Sequence, residues 1–128
     1  MTPDLTYLVL TCVLSLVVWI PYILGRISAW GLMPAMSYPD PDVPQPAWAL
    51  RMRAAHRNLT ENLAPFAALV IIAHVAGLAN ETSAMGAAIF FFARVVHVIV
   101  YTLAIPMART LSFAVGLIGA LMVASVFL

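Results

Sequence analysis

The stretch "SAMGAAIFFFARVVHVIVYTL", residues 83–103, decides the fold. It is apolar almost throughout, yet Arg94 and His97 sit in its second half. Crossing about 30 Å of hydrocarbon takes roughly 20 predominantly apolar residues in a helix, and this run has that length. A membrane β-barrel is built instead from many short segments of alternating polarity, which an unbroken run does not supply. The stretch reads as a spanning helix that carries two ionisable groups into the bilayer.

Working outward, three more runs of the same kind cover about residues 5–24, 59–78 and 110–128. The whole 128-residue chain is 64% hydrophobic and only 9% charged, with a mean hydropathy of +1.03. Soluble domains carry about 25% charged residues, so this chain lacks the polar side chains to cover a water-facing surface. The expectation is one domain over residues 1–128: an all-α, integral membrane four-helix bundle. Pro21, which lacks a backbone donor, is expected to kink the first helix. That helix has no basic segment ahead of it, carries Asp4 and shows no small-x-small cleavage site before Arg26, so it reads as a retained span rather than a signal peptide.

Four spans put both ends of the chain on one side. There is no lysine; Arg26, Arg51, Arg53, Arg57 and Arg109 fall at the other side, and Arg94 lies within span three. The positive-inside rule then places the arginine-bearing connections in the cytoplasm and both termini on the non-cytoplasmic side. The longer connection contains Pro34, Pro39, Pro41, Pro44 and Pro46, and is expected to be extended, with the second helix starting near Pro46-Ala47. Trp30, Tyr38 and Trp48 suit the headgroup level. In span four, Ser112, Gly116, Ala120 and Ala124 recur every fourth residue, a spacing that lets helix backbones approach closely.

A net charge of +1 offers no basic field for nucleic acid. The lone Cys12 rules out an intrachain disulfide or a CxxC metal site and reads as a packing residue; no metal site is expected. GxSxG, HExxH and P-loop patterns are absent from the sequence.

Ionisable groups in a spanning helix are costly and usually face a cavity or a partner. Here they are Glu61, His74, Arg94 and His97, with Arg57, Asn58 and Arg109 at the edge. Residues three or four apart share a helix face, which groups Arg53 with Arg57, Arg57 and Asn58 with Glu61, and Arg94 with His97 and Tyr101. Antiparallel spans two and three would bring these stripes level, lining one wet pocket open to the cytoplasm. Plainer roles stand beside this reading. Arg57 and Arg109 serve equally as headgroup anchors, and Glu61 as an ion-pair partner between helices. Arg94 serves as the partner of a carboxylate or of backbone carbonyls. His97 and His74 serve as neutral core histidines, and Tyr101 as an interfacial belt residue. A pocket with several arginines, an amide and a carboxylate suits a small zwitterion bearing carboxylates and an amino group.

"RAAHRNLTENLAPF" (residues 53–66), "FFFARVVHVIVY" (residues 90–101) and the arginine that opens the last span resemble the MAPEG superfamily. These are the membrane-associated proteins of eicosanoid and glutathione metabolism. The resemblance implies a four-helix protomer in a homotrimer, with glutathione as co-substrate between neighbouring subunits near the cytoplasmic side. It assigns Arg51, Arg53, Arg57, Asn58, Glu61 and His97 to glutathione binding, and Arg109 and Tyr101 to catalysis, with Arg109 activating the thiol. Three departures stand out: Ala54 occupies a position where an arginine is common, the Tyr101–Arg109 spacing differs from some branches, and Phe113 stands near the place of a helix-four tyrosine. The resemblance implies a glutathione transferase or peroxidase acting on hydrophobic small molecules that arrive through membrane lipid. The alternative is a non-catalytic module of the same fold that binds lipid or a partner protein. A bacterial inner membrane is the expected location.

Overall fold

The computed structural model describes residues 1–38, 40 and 42–128; Pro39 and Pro41 lie outside the described residues. Its helices are α1 (Pro3–Val17), α2 (Trp19–Trp30), the one-turn α3 (Leu32–Ala35), α4 (Ala47–Val75), α5 (Glu81–Thr102) and α6 (Ala108–Ala124), followed by a 3₁₀ turn at Ser125–Phe127. Four helical stretches are long and apolar enough to cross a membrane: Pro3–Trp30, Ala47–Val75, Glu81–Thr102 and Ala108–Phe127. No strand occurs among the described residues.

The first span runs six residues further than its apolar run, to Trp30, with a break at Val18. The break lies one turn ahead of Pro21, whose missing N–H leaves the Val17 carbonyl without its helical donor. Gly31, at φ 83°, ends α2. The connection that follows is less extended than its prolines suggest, since α3 forms within it. It is tied back to α2 by Arg26 Nη2 donating to the Ser37 carbonyl (3.1 Å) and Trp30 Nε1 donating to the Pro44 carbonyl (3.0 Å). Pro46 is the N-cap of α4, as its position in the sequence predicts.

Between α4 and α5 the chain reverses in a few residues. Gly77 takes φ 70° and Leu78 N–H donates to the Ala73 carbonyl at 2.9 Å, a helix stop that needs the left-handed conformation. Asn80 opens α5: its side chain accepts from the Thr82 and Ser83 N–H groups, and Ser83 Oγ accepts in return from Asn80 N–H.

Inside, Phe66 and Phe90 stack with centroids 3.8 Å apart and Leu8, Val70, Ala87 and Val123 close around them. Half-buried Cys12 packs against this cluster. A second cluster joins Val18, Ala55 and Val98. The polarity is inverted relative to a water-soluble domain. Arg94, His97, Asp4, Thr11 and Ser83 are buried, while Leu16, Leu117, Ile118 and Leu121 face outward. Lipid as the surrounding solvent accounts for that arrangement.

Helices α5 and α6 pack backbone to backbone at Gly86 and Gly119. A Cβ on either would lie 2.6 Å from the other's carbonyl oxygen. The buried stripe of α6 is Ser112, Gly116, Gly119 and Val123, not the four-residue series ending in Ala120 and Ala124. A helix turns every 3.6 residues, so a strict spacing of four drifts off the contact line.

Candidate functional site

Helix α4 begins and α5 ends at the same end of the bundle, where Arg51 Nε donates to the Thr102 carbonyl at 2.9 Å. Thr102 is in the last turn of α5, whose carbonyls lack helical donors, and a cation there also meets the negative end of the helix dipole. Arg51 thus closes the end of α5 and joins it to α4.

Just inside this end lies a notch of about 360 Å³ lined by Asn58, His97, Tyr101, Arg109, Thr110 and Phe113. That volume falls at the lower end of small-ligand sites, which run from about 300 to 1,000 Å³. A neighbouring cavity of about 270 Å³ shares Tyr101, Arg109 and Thr110 and adds Arg51.

Under the notch, Arg94 is 1% exposed. Its Nη1 donates to Asn58 Oδ1 at 2.7 Å, and its guanidinium carbon sits 5.1 Å from the ring centres of both Phe90 and Phe113. The expected carboxylate or backbone-carbonyl partner is replaced by an amide oxygen and two aromatic faces, which attract a cation through their negative π surfaces. His97, likewise buried, stands edge-on to Tyr101 with centroids 5.5 Å apart. Neither His97 Nδ1 nor Arg94 Nε has a hydrogen-bond partner among the described residues. The Arg109 guanidinium carbon lies 5.0 Å from the centre of the Tyr101 ring.

The turn from α5 to α6 sets that last contact. Ala104 and Met107 both have positive φ, 57° and 63°. Around Met107, at ψ −34°, Ala108 N–H donates to the Pro106 carbonyl at 2.7 Å. This is a γ-turn of the rare left-handed kind, a strained conformation for a side-chain-bearing residue. It launches α6 with Arg109 in the first turn, directly over Tyr101.

The remaining candidates lie elsewhere. Arg53 and Arg57 line a separate cavity of about 330 Å³ with Leu50 and Ala54. With Glu61 they are exposed, spaced four apart along one outward face of α4. Asn58 faces the notch because one helical residue turns the side chain by about 100°. The single pocket expected to hold both stripes is therefore divided within the protomer. His74 is exposed near the opposite end and takes no part. Thr110 and Phe113 line the notch without having been singled out as binding residues. The available signal was position: one and four residues after Arg109, so in its first turn and on its face. A groove of about 410 Å³, apolar apart from Ser112, runs along α5 and α6, between residues such as Ile89, Phe92, Val96 and Val115.

Four spanning helices, three of which line a polar notch, define a multi-pass integral membrane protein. Compared with models of protein families, residues 8–128 match the MAPEG family. With nearly its whole length matched, the chain belongs to that family, and so to the membrane proteins linked to glutathione and eicosanoid metabolism. No curated protein and no solved structure matches it.

Proposed function

We propose that this protein binds glutathione at the cytoplasmic face of a bacterial inner membrane and uses the glutathione thiolate on apolar electrophiles that enter from the bilayer. The observation that carries this reading is the meeting of Asn58, His97, Tyr101 and Arg109, from three helices, around one notch. An amide, an imidazole, a phenol and a guanidinium supply donors for carboxylate and thiolate groups. Arg109 stabilises the thiolate electrostatically, with the Tyr101 hydroxyl as a second donor. In transfer, the sulfur pair forms a C–S bond while the leaving group departs with its own bonding pair. In the peroxidase reaction the sulfur attacks the peroxide, the O–O bond breaks, and a second glutathione converts the sulfenic acid to a disulfide. The apolar groove along α5 and α6 suits the hydrophobic co-substrate.

Arg53, Arg57 and Glu61 face away from this notch, so their share in glutathione binding requires a neighbouring copy, as in a homotrimer. The test is glutathione titration of the purified, lipid-embedded protein. Saturable binding below millimolar concentration, weakened by Arg57→Ala and Glu61→Ala, is expected. Absence of saturable binding at millimolar glutathione overturns the proposal in favour of a non-catalytic module that binds lipid or a protein. Turnover of a chlorinated nitroaromatic against that of a lipid hydroperoxide then separates transferase from peroxidase.

A further inference from the structure

We infer that Arg94 is a positioning residue whose buried guanidinium locks the Asn58 amide with its NH₂ group turned into the notch, so that the site demands a hydrogen-bond acceptor at that point. The inference rests on the notch being the ligand site.

The argument is one of donors and acceptors. An amide can present either its oxygen or its nitrogen in a given direction, and the two ends are nearly the same size. A guanidinium has donors only. With Arg94 Nη1 held 2.7 Å from the Asn58 side chain, the end facing Arg94 must be the oxygen, because the NH₂ end would set donor against donor. Arg94 is itself fixed. It is 1% exposed, lies between the faces of Phe90 and Phe113, and rests against Gly116, where an added Cβ would be 3.4 Å from its Nε. Asn58 is fixed from its own side as well, on α4, with Asn62 Nδ2 donating to its backbone carbonyl at 2.9 Å. Asn58 lines the notch beside His97 and Arg109, and the amide nitrogen is the end that Arg94 leaves over for that wall.

A cation this deeply buried is expensive unless it is compensated. Simple packing would be served better by an apolar side chain between the two phenylalanines. What the arginine adds is a fixed donor below Asn58 and a positive charge beneath a ligand site, which together select the acceptor-rich, anionic part of a ligand. In a glutathione complex this point would take a carboxylate or carbonyl oxygen, or the thiolate.

The test uses the full-length protein in lipid nanodiscs, with glutathione as probe. Asn58→Asp keeps the acceptor for Arg94 and strengthens that contact by pairing opposite charges, but it presents an oxygen to the notch instead of NH₂. Glutathione affinity should fall about 10- to 100-fold while thermal stability is unchanged or raised. Arg94→Met keeps the apolar stem between the two rings and removes the donor; affinity should fall about tenfold or more, with partial recovery in Arg94→Lys. A dissociation constant for Asn58→Asp within about threefold of the parent overturns the inference, and this variant carries the test alone if Arg94→Met does not fold. A readout without ligand separates this claim from the functional proposal. The ¹⁵N side-chain amide signals of Asn58 should exchange with water and shift in Arg94→Lys. Amide protons shielded from water would overturn the inference even if glutathione binds, and failure of the parent protein to bind glutathione would overturn only the function.

Discussion

The Arg109 guanidinium lies over the Tyr101 ring, 5.0 Å from its centre, although the two residues belong to different helices. A cation over an aromatic face is worth about 0.5–1 kcal/mol at exposed sites and more where water is excluded. The ring therefore seats the charge, and the phenolic oxygen is left for a ligand.

That division separates two variants. Tyr101→Phe keeps the seat and loses the hydroxyl. Thermal stability should be unchanged, while turnover with glutathione falls about tenfold if the hydroxyl donates to the thiolate. Arg109→Ala should lower turnover by about 100-fold with a much smaller change in the glutathione dissociation constant. Steady-state kinetics beside direct titration read both quantities. Unchanged turnover in Arg109→Ala would remove this residue from the chemistry.

The crossing of α5 over α6 should be equally intolerant. Gly86→Ala and Gly119→Ala each place a methyl group 2.6 Å from a backbone carbonyl oxygen that cannot swing aside. Overpacking costs about 1–3 kcal/mol, and a clash with backbone belongs at the upper end. Thermal unfolding in detergent should show losses of about 3 kcal/mol. At Gly77 an added Cβ meets nothing within 4 Å. Gly77→Ala should cost only the left-handed backbone conformation, about 1–2 kcal/mol.

The α5–α6 turn supplies a prediction with the opposite sign. Met107 is 76% exposed and holds φ 63°, so it loses conformational freedom without gaining packing. Met107→Gly removes a strain of about 1–3 kcal/mol and adds an unfolded-state entropy cost of about 0.5–1 kcal/mol. Stability should be unchanged or slightly raised. Met107→Val, β-branched at positive φ, should destabilise by about 1–2 kcal/mol. A stabilising effect of valine would mean that the γ-turn does not form.

The spans and the notch were legible in the sequence to different degrees. Apolar run length and the positions of the arginines require neither partners nor precise angles, so the four helices and the basic end could be read directly. Helix ends were less accessible. The first helix passes Leu24 and reaches Trp30 because Arg26 and Trp30 find partners in the following connection, a tertiary effect. Spacing along α4 groups Arg53, Arg57 and Glu61, which do share an exposed face. It also pairs Asn58 with Glu61, which the structure separates, and it does not say which face turns inward. That is decided by Leu59 and Ala55, buried two residues away from these charged positions. The partner of Arg94 was out of reach for a different reason: Asn58 is 36 residues distant, and nothing local distinguishes it from a carboxylate.

The outward face of α4 leads to the last expectation. Arg53, Arg57 and Glu61 are exposed on a single protomer, on a helix long and apolar enough to span the membrane. Charged side chains turned toward lipid cost about 2.5–3.5 kcal/mol each at mid-membrane by insertion scales, less toward the interface. A neighbouring copy that covers this face, as in the proposed homotrimer, would remove much of that cost and would add Arg53 and Arg57 to its own notch. In the proposed homotrimer, light scattering of the detergent-solubilised protein should give three times the protomer mass of 13.8 kDa. Glu61→Arg puts a further positive charge four residues from Arg57 and should shift the mass toward the protomer while the helical circular-dichroism signal persists. Arg57→Glu paired with Glu61→Arg should restore the larger mass if the two positions meet opposite charges across the interface. A parent protein that scatters as a 13.8 kDa monomer would leave these charges facing lipid headgroups instead, and Arg53, Arg57 and Glu61 would have no part in binding glutathione.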